Sequence, residues 1–418
     1  MPPLPPLKRR RIAMDRGSLN WGELPLEVVL LFISGMSALI AGVLLIAALA
    51  AGMPYYGGGL AGLVLFFFAL QTTLLGKTPF GDLPPSGALL AAGILMAAAG
   101  IVIAIIPSVP PLFSAWLLLI FLAAGGAVLL VQSLLSPSKI RLWRSLGGAV
   151  KPLVVWAPAV YLSSVAAGSA FYAVGGGPGW LLVPALLFQG AAVLNLGRIL
   201  AGVYRVYPAS GPEAPGRAPI PFGQGMLLMT GAFMVLLGLL LIPVSLGLLP
   251  FAPSAQLGLL MVIFAVQAAA SGNTPLGPFP RSAATAFAGL AFGALGAVSC
   301  VIPGLLDGIL VPLVGVLNIA GGLLTLAKTA LAFKGVRGAP GPDGARLLRK
   351  LYGTQALLGI LSVMFGSSML FPGIIPALVT GVVLAANGGV LVWLMILLGR
   401  VEVMATAHTE AGAPPEGV

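Results

Sequence analysis

Residues 86–107 read SGALLAAGILMAAAGIVIAIIP, and residues 116–135 read WLLLIFLAAGGAVLLVQSLL. Neither run contains a charged residue, and only the short segment SVPPLFSA separates them. A membrane's hydrocarbon core is about 30 Å thick, so a spanning helix needs roughly 20 mostly apolar residues. Both runs meet that length. Inside lipid every backbone N–H and C=O must be paired within the segment or within a closed barrel, and these runs lack the short alternating pattern of barrel strands. Two transmembrane helices joined by a tight Pro-containing turn are the reading, and the rest of the chain repeats it.

Twelve segments qualify as spans: approximately 28–50, 58–75, 87–106, 112–135, 152–174, 180–204, 225–249, 255–271, 283–302, 308–333, 352–371 and 374–398. The expected fold class is an all-α polytopic membrane protein. Of 418 residues, 59% are hydrophobic and 7% charged, against about 25% charged in soluble domains, which excludes a soluble globular protein. With one His and one Cys, multi-Cys metal centres, bis-His haem and disulfide frameworks are excluded by counting, and no cofactor is expected.

The formal charge of +11 is one-sided on this map. Lys8, Arg9, Arg10, Arg11 and Arg16 precede the first span, Lys77 follows the second, and Lys139, Arg141, Arg144 and Lys151 follow the fourth. Arg205 and Arg217, Arg281, the group from Lys334 to Lys350, and Arg400 follow the sixth, eighth, tenth and twelfth. The opposite turns, around Pro54, Pro110, Pro178, Pro253, Pro303 and Pro372, carry neither Lys nor Arg. The positive-inside rule then places both termini in the cytoplasm and the chain in the plasma (inner) membrane. The same distribution points to anionic lipid head groups as partners and away from nucleic acid. Within SKIRLWRSLGGAVK, from Ser138, the residues Arg141, Trp143 and Arg144 are candidates for head-group contact. Arg198 and Lys328 lie near the cytoplasmic ends of their spans, close enough for their long stems to snorkel to the interface. KRRR before the first span resembles the start of a signal peptide, but that span is too long and lacks a clean cleavage site, so it reads as a retained helix. Residues 1–23 are expected to be cytoplasmic or interfacial, with Met14 as an alternative start.

Sliding the chain against itself gives a match at an offset of 196 residues. Gly35 and Gly42 fall on Gly231 and Gly238, Gln71 falls on Gln267, and GKTPFGDLPPS from Gly76 falls on GNTPLGPFPRS from Gly272. Further along the offset slips to 192, where Asn195 falls on Asn387. A tandem duplication follows: a first six-helix repeat over 24–205, a Pro/Gly-rich linker over 206–222, a second repeat over 223–402 and a tail over 403–418. Six is even, so the repeats insert in parallel. Beneath them lies a smaller unit, because Gly pairs seven residues apart recur as Gly93/Gly100, Gly289/Gly296, Gly359/Gly366 and a displaced Gly168/Gly175. Two helical turns apart, both glycines face one neighbour and let its backbone approach. Six helical hairpins are expected, each a Gly-bearing first helix, an outer turn and a second helix.

Ionisable groups deep in a membrane mark function by default, and here they are nearly absent. Glu27, Asp82 and Asp307 all sit at span edges or in turns, so no carboxylate proton relay is indicated. The uncharged amides Gln71, Asn195, Gln267, Asn318 and Asn387, with Gln132, Gln189 and Gln355, are either interhelical glue or a polar substrate path. Cys300 reads as a small buried hydrophobe. The two GxTP loops are not phosphate-binding loops, since Pro follows the Thr and no strand precedes them; they read as rigid turns.

The runs 86–107 and 116–135, with their counterparts AFAGLAFGALGAVSCVIP (286–303) and LVPLVGVLNIAGGLLTLAK (310–328), resemble the HdeD-type acid-resistance membrane proteins, a family of helical-hairpin repeats. Each half looks like one six-span member of that family, and the resemblance implies a role in acid or envelope stress tolerance without supplying catalytic residues. Two functions of different kinds stay open. One is a non-enzymatic scaffold or complex subunit that binds lipid, a membrane partner or its own copies. The other is a secondary transporter or permease for a neutral or small substrate, built on a 6+6 helix plan. An enzyme is not expected, because no nucleophile-and-base constellation lies in the spans.

Overall fold

The computed structural model describes residues 24–84, 86–136, 141, 143–145, 147–207, 222–333 and 341–411. The expectations for 1–23, 138–140, the greater part of the linker, 334–340 and 412–418 lie outside the described residues. Twelve helices among the described residues are long and apolar enough to cross a membrane. They are α1 (Leu26–Ala51), α2 (Gly57–Leu75), α3 (Gly87–Ile105), α4 (Pro111–Leu134), α5 (Leu153–Ala173), α6 (Leu182–Val206), α7 (Phe222–Ser245), α8 (Pro253–Ser271), α9 (Ala283–Val301), α10 (Asp307–Phe333), α11 (Gly341–Leu370) and α12 (Ala377–Ala411). The all-α polytopic architecture is therefore present. Two helices overrun the expected spans: α11 begins at Gly341, and α12 continues through residues 403–411, expected as a plain tail. That sequence, VMATAHTEA, holds neither Pro nor Gly to stop a helix already started.

Local chemistry sets the ends. Gly52, Gly76 and Gly272 close α1, α2 and α8 at φ 66°, 69° and 73°, a left-handed conformation that costs glycine nothing. The Ser86 and Ser282 hydroxyls cap α3 and α9 by accepting from the N–H groups of Leu89 and Thr285.

The pairing of helices corrects the expected hairpins. The Gly pairs do face one neighbour, but it is the helix before them and not the helix across the outer turn. A Cβ on Gly100 of α3 would lie 2.9 Å from the Gly62 carbonyl oxygen of α2, and one on Gly366 of α11 would lie 2.6 Å from the Gly315 oxygen of α10. α1 closes each circuit by packing on α6, with Gly35 against Leu194 and Gly190, and α7 packs likewise on α12, with Gly238 against Ala385 and Gly381. The tight units are thus α2/α3, α4/α5 and α6/α1, then α8/α9, α10/α11 and α12/α7. Lipid tails are as apolar as Leu, so close backbone approach at small residues is what binds these pairs. Gly168 of α5 is not a displaced pair member: Gly168 meets Leu118 and Leu122 as Gly366 meets Gly315 and Ile319, while Gly175 adopts φ 64° in the turn beyond the helix.

The six-helix sets meet along a packed seam. Leu63, Phe66 and Leu70 of α2 lie in one core with Phe233 and Leu237 of α7 and Val262 of α8, and the rings of Phe66 and Phe233 meet edge to face at 6.3 Å. α8 is buried over most of its length, which its all-round apolar sequence permits. At the end away from the basic loops the sets exchange hydrogen bonds reciprocally. The Tyr56 N–H donates to the Val301 carbonyl, and the Ala252 N–H donates to the Ile105 carbonyl, both at 2.9 Å, at positions related by the offset of 196.

Beside this seam the Tyr55 hydroxyl is buried without a hydrogen-bond partner among the described residues, in an apolar cluster built mostly from the first six helices. An unpaired buried hydroxyl carries a desolvation penalty of about 1–3 kcal/mol. Tyr55→Phe is accordingly expected to keep or raise thermal stability in nanodiscs, and a clear loss would mean that the hydroxyl holds a partner.

Candidate functional site

The loops expected as rigid turns are short β-hairpins. Lys77–Thr78 (β1) pairs antiparallel with Gly81–Asp82 (β2), and Asn273–Thr274 (β3) pairs with Gly277–Pro278 (β4). In each, a Thr hydroxyl donates across the turn, Thr78 to the Gly81 carbonyl and Thr274 to the Gly277 carbonyl. The tips do not end at the surface. Pro79 rests on Gly125 of α4, and Pro275 rests on Gly321 of α10; a Cβ at either glycine would fall 2.7 or 2.0 Å from the proline carbonyl oxygen. Gly125 stands nine residues before the end of α4, about 13 Å along the helix, so the hairpin folds back into the bundle. The paired glycines of α4 and α10 are the seats for these tips.

Above the first hairpin lies a cavity of about 290 Å³, enclosed by α1, α2, α4, α5 and α6. Its lining is graded. Glu27, Lys77 and Asp82 form the basic-end rim, Gln71, Ser34, Tyr161, Ser164 and Gln189 the middle, and Leu60, Leu63, Val64 and Leu186 the inner end, which reaches the first turns of α2 and α6. Phe67, Phe68 and Phe121 add aromatic wall.

Each polar group is positioned by its element. Glu27, in the first turn of α1 and 6% exposed, receives the Lys77 amine and the Tyr204 hydroxyl of α6. The hairpin delivers Lys77, because the Thr72 hydroxyl donates to the Lys77 carbonyl at 3.1 Å and fixes the turn off α2. Asp82 stands opposite Lys77 in the strand register, lies exposed, and makes no ion pair or side-chain hydrogen bond among the described residues. The Ser163 hydroxyl donates to Gln189 Oε1 at 2.5 Å, and Gln189 Nε2 donates to Ser164 Oγ at 3.2 Å, which ties α5 to α6 along the wall. The Gln71 amide makes no hydrogen bond among the described residues and borders the cavity.

In the last six helices the counterparts of Gln71 and Ser34 are joined to each other. Gln267, the counterpart of Gln71, donates to the Thr230 hydroxyl at 3.2 Å. Asn318 bonds the Val314 carbonyl and receives the Ser362 hydroxyl. Gly126 faces Tyr161, Ser164 and Val165, whereas Gly322 faces Gly359 and Val363, so Tyr161 stands where the second set has a packing glycine. Two further differences favour space in the first set. α4 carries a π-helical segment over Leu119–Ala124, a departure frequent at functional sites, while α10 is α-helical throughout. The counterparts of Glu27, Lys77 and Asp82 are Gly223, Asn273 and Pro278, which carry no charge.

Of the five amides singled out in the sequence, only Gln71 borders the cavity. Asn195 is half-buried on α6, Asn387 is buried on α12, and Gln267 and Asn318 are joined to neighbours as above. Gln132 donates to the Phe80 carbonyl at 3.4 Å, and Lys328 at the equivalent position lies over Gly277 of the second hairpin. Arg141, Arg144, Arg198 and Lys328 are on the outer surface of the bundle, but Trp143 is half-buried against Val150, Leu153 and Val203. Cys300 is fully buried in α9, and among the described residues no group of His, Cys, Asp or Glu has the makings of a metal site. Composition and spacing did not reveal Tyr161, Asp82 or the Glu27–Lys77 pair as site residues. The signal for Tyr161 was an α5 offset of 198, which sets it against Gly359. Comparisons with protein-family models, with curated proteins and with solved structures find no match for the chain.

Proposed function

We propose that this is a non-enzymatic multi-pass membrane protein that takes a small molecule from its basic end into the cavity of the first six helices, the last six serving as a rigid brace. The observation that carries it is the difference between the two sets: Gln267 and Thr230 are joined to one another in the second, whereas their counterparts Gln71 and Ser34 border 290 Å³ of space in the first. A permease working between two six-helix halves fits less well, because their seam is filled by Phe66, Phe233, Leu63 and Leu237. The one-sided basic loops support an inner-membrane location with both termini cytoplasmic, which makes the cavity mouth cytoplasmic.

Single cysteines introduced into a Cys300→Ala background test this in sealed vesicles of known orientation. Gln71→Cys is expected to react with a membrane-impermeant maleimide added on the basic-loop side, while Gln267→Cys, Asn318→Cys and Asn387→Cys stay protected. Protection at residue 71 would overturn the cavity reading, and labelling at 267 and 387 would restore a path between the halves. The resemblance to acid-resistance proteins adds a physiological arm, namely survival of a deletion strain under acid with and without Gln71→Leu.

A further inference from the structure

The rim of the cavity holds two carboxylates against one amine, although the chain as a whole carries +11. Glu27 is engaged by Lys77 and Tyr204, which leaves Asp82 without an ion-pair partner at the mouth among the described residues. The Lys77 amine, directed at Glu27, does not neutralise it among the described residues. Inward from that carboxylate come amide and hydroxyl groups, then Phe67, Phe68 and Phe121, then Leu60, Leu63 and Leu186. A bound molecule with its polar end at the rim meets a negative charge first and apolar surface last. Of the three rings, Phe121 lies beside Phe80 of the hairpin, with centroids 6.2 Å apart, and an aromatic face attracts cations and repels anions. An anionic head group placed there would meet Asp82 with no free basic group among the described lining residues, whereas an ammonium gains from the carboxylate and the Phe121 ring.

We infer that the cavity selects amphipathic cations, an ammonium-type head at Asp82 with an apolar tail directed toward Leu60 and Leu186. The cations expected to bind anionic lipid on the outer surface, Arg141, Arg144, Arg198 and Lys328, do not line this space. The inference rests on the cavity reading above and adds the ligand class to it.

The test uses the full chain with Cys300→Ala and Gln71→Cys in phosphatidylcholine nanodiscs, and follows protection of the thiol from maleimide. Three probes share one octyl chain and differ in the head: octyltrimethylammonium, octyl sulfate and octanol. The ammonium probe is expected to slow labelling at about fivefold lower concentration than the other two, the size of a single partly screened charge contact. Asp82→Asn is expected to erase that preference, with each probe compared against the same variant's own labelling rate in its absence. Equal protection by all three heads, or stronger protection by the sulfate, overturns the cation assignment while leaving the cavity standing. A thiol that never labels overturns the cavity reading itself. Should Asp82→Asn fail to fold, Asp82→Glu is expected to retain the preference, and its loss there would also count against the assignment.

Discussion

Gly238→Ala is expected to cost about 3 kcal/mol, while the equivalent change Gly42→Ala costs about 1 kcal/mol or less. The two glycines occupy matching positions in the duplicated sequence, on α7 and α1. They differ in what an added methyl meets. At Gly238 the new Cβ would lie 2.4 Å from the Ala385 backbone nitrogen and 2.5 Å from the Gly381 carbonyl oxygen, so α7 and α12 must separate. At Gly42 the closest atoms, at 2.8 and 3.0 Å, belong to the Leu187 side chain, which changes rotamer at little expense. Gly-to-Ala also returns up to about 1 kcal/mol of helix propensity, and at Gly42 this offsets most of the loss. Thermal unfolding of the two purified variants in matched nanodiscs decides it. Equal losses would show that α7 and α12 shift apart as freely as Leu187 rotates.

The second large effect is expected at the ion pair. Lys77→Met leaves the Glu27 carboxylate buried with only the Tyr204 hydroxyl among the described residues to satisfy it. Removing one partner of a fully buried pair costs about 3–5 kcal/mol. The Lys77 side chain is 34% exposed, so water screens part of the interaction and about 2 kcal/mol is the expected loss. Glu27→Gln in addition should restore most of it, since the amide needs no counter-charge. A double variant as unstable as Lys77→Met would show that Lys77 acts through packing of its stem and not through its charge.

The twelve helices and the duplication were legible because lipid imposes length and apolarity on each span, and small residues at fixed spacing mark close packing. Which helix each Gly pair meets was not legible. Spacing in one helix reports a face and not the neighbour, and the outer turns suggested a neighbour that Gly62 of α2 and Gly190 of α6 replace. The cavity was hidden for a different reason. It arises from departures between two nearly equivalent sets, a Tyr for a Gly at 161 and a π-helical segment in α4, and neither has a periodicity of its own. Gln71 and Gln267 look alike in sequence because their difference lies in the partner, Ser34 bonding the Leu31 carbonyl where Thr230 accepts from Gln267.

The exchange between Tyr56 and Val301 and between Ala252 and Ile105 bears on biogenesis. When the first six helices have left the ribosome, the Tyr56 N–H and the Ile105 carbonyl have no partners within their own set, and the apolar face of α2 that later meets α7 and α9 is turned to lipid. The first set is therefore an unfinished product of insertion that acquires its final turns only when α7 to α9 arrive. A gene truncated after the linker would yield a chain that enters the membrane yet stays a substrate for quality control. Duplication with this swapped bonding makes the two copies mutually dependent, so neither can be shed.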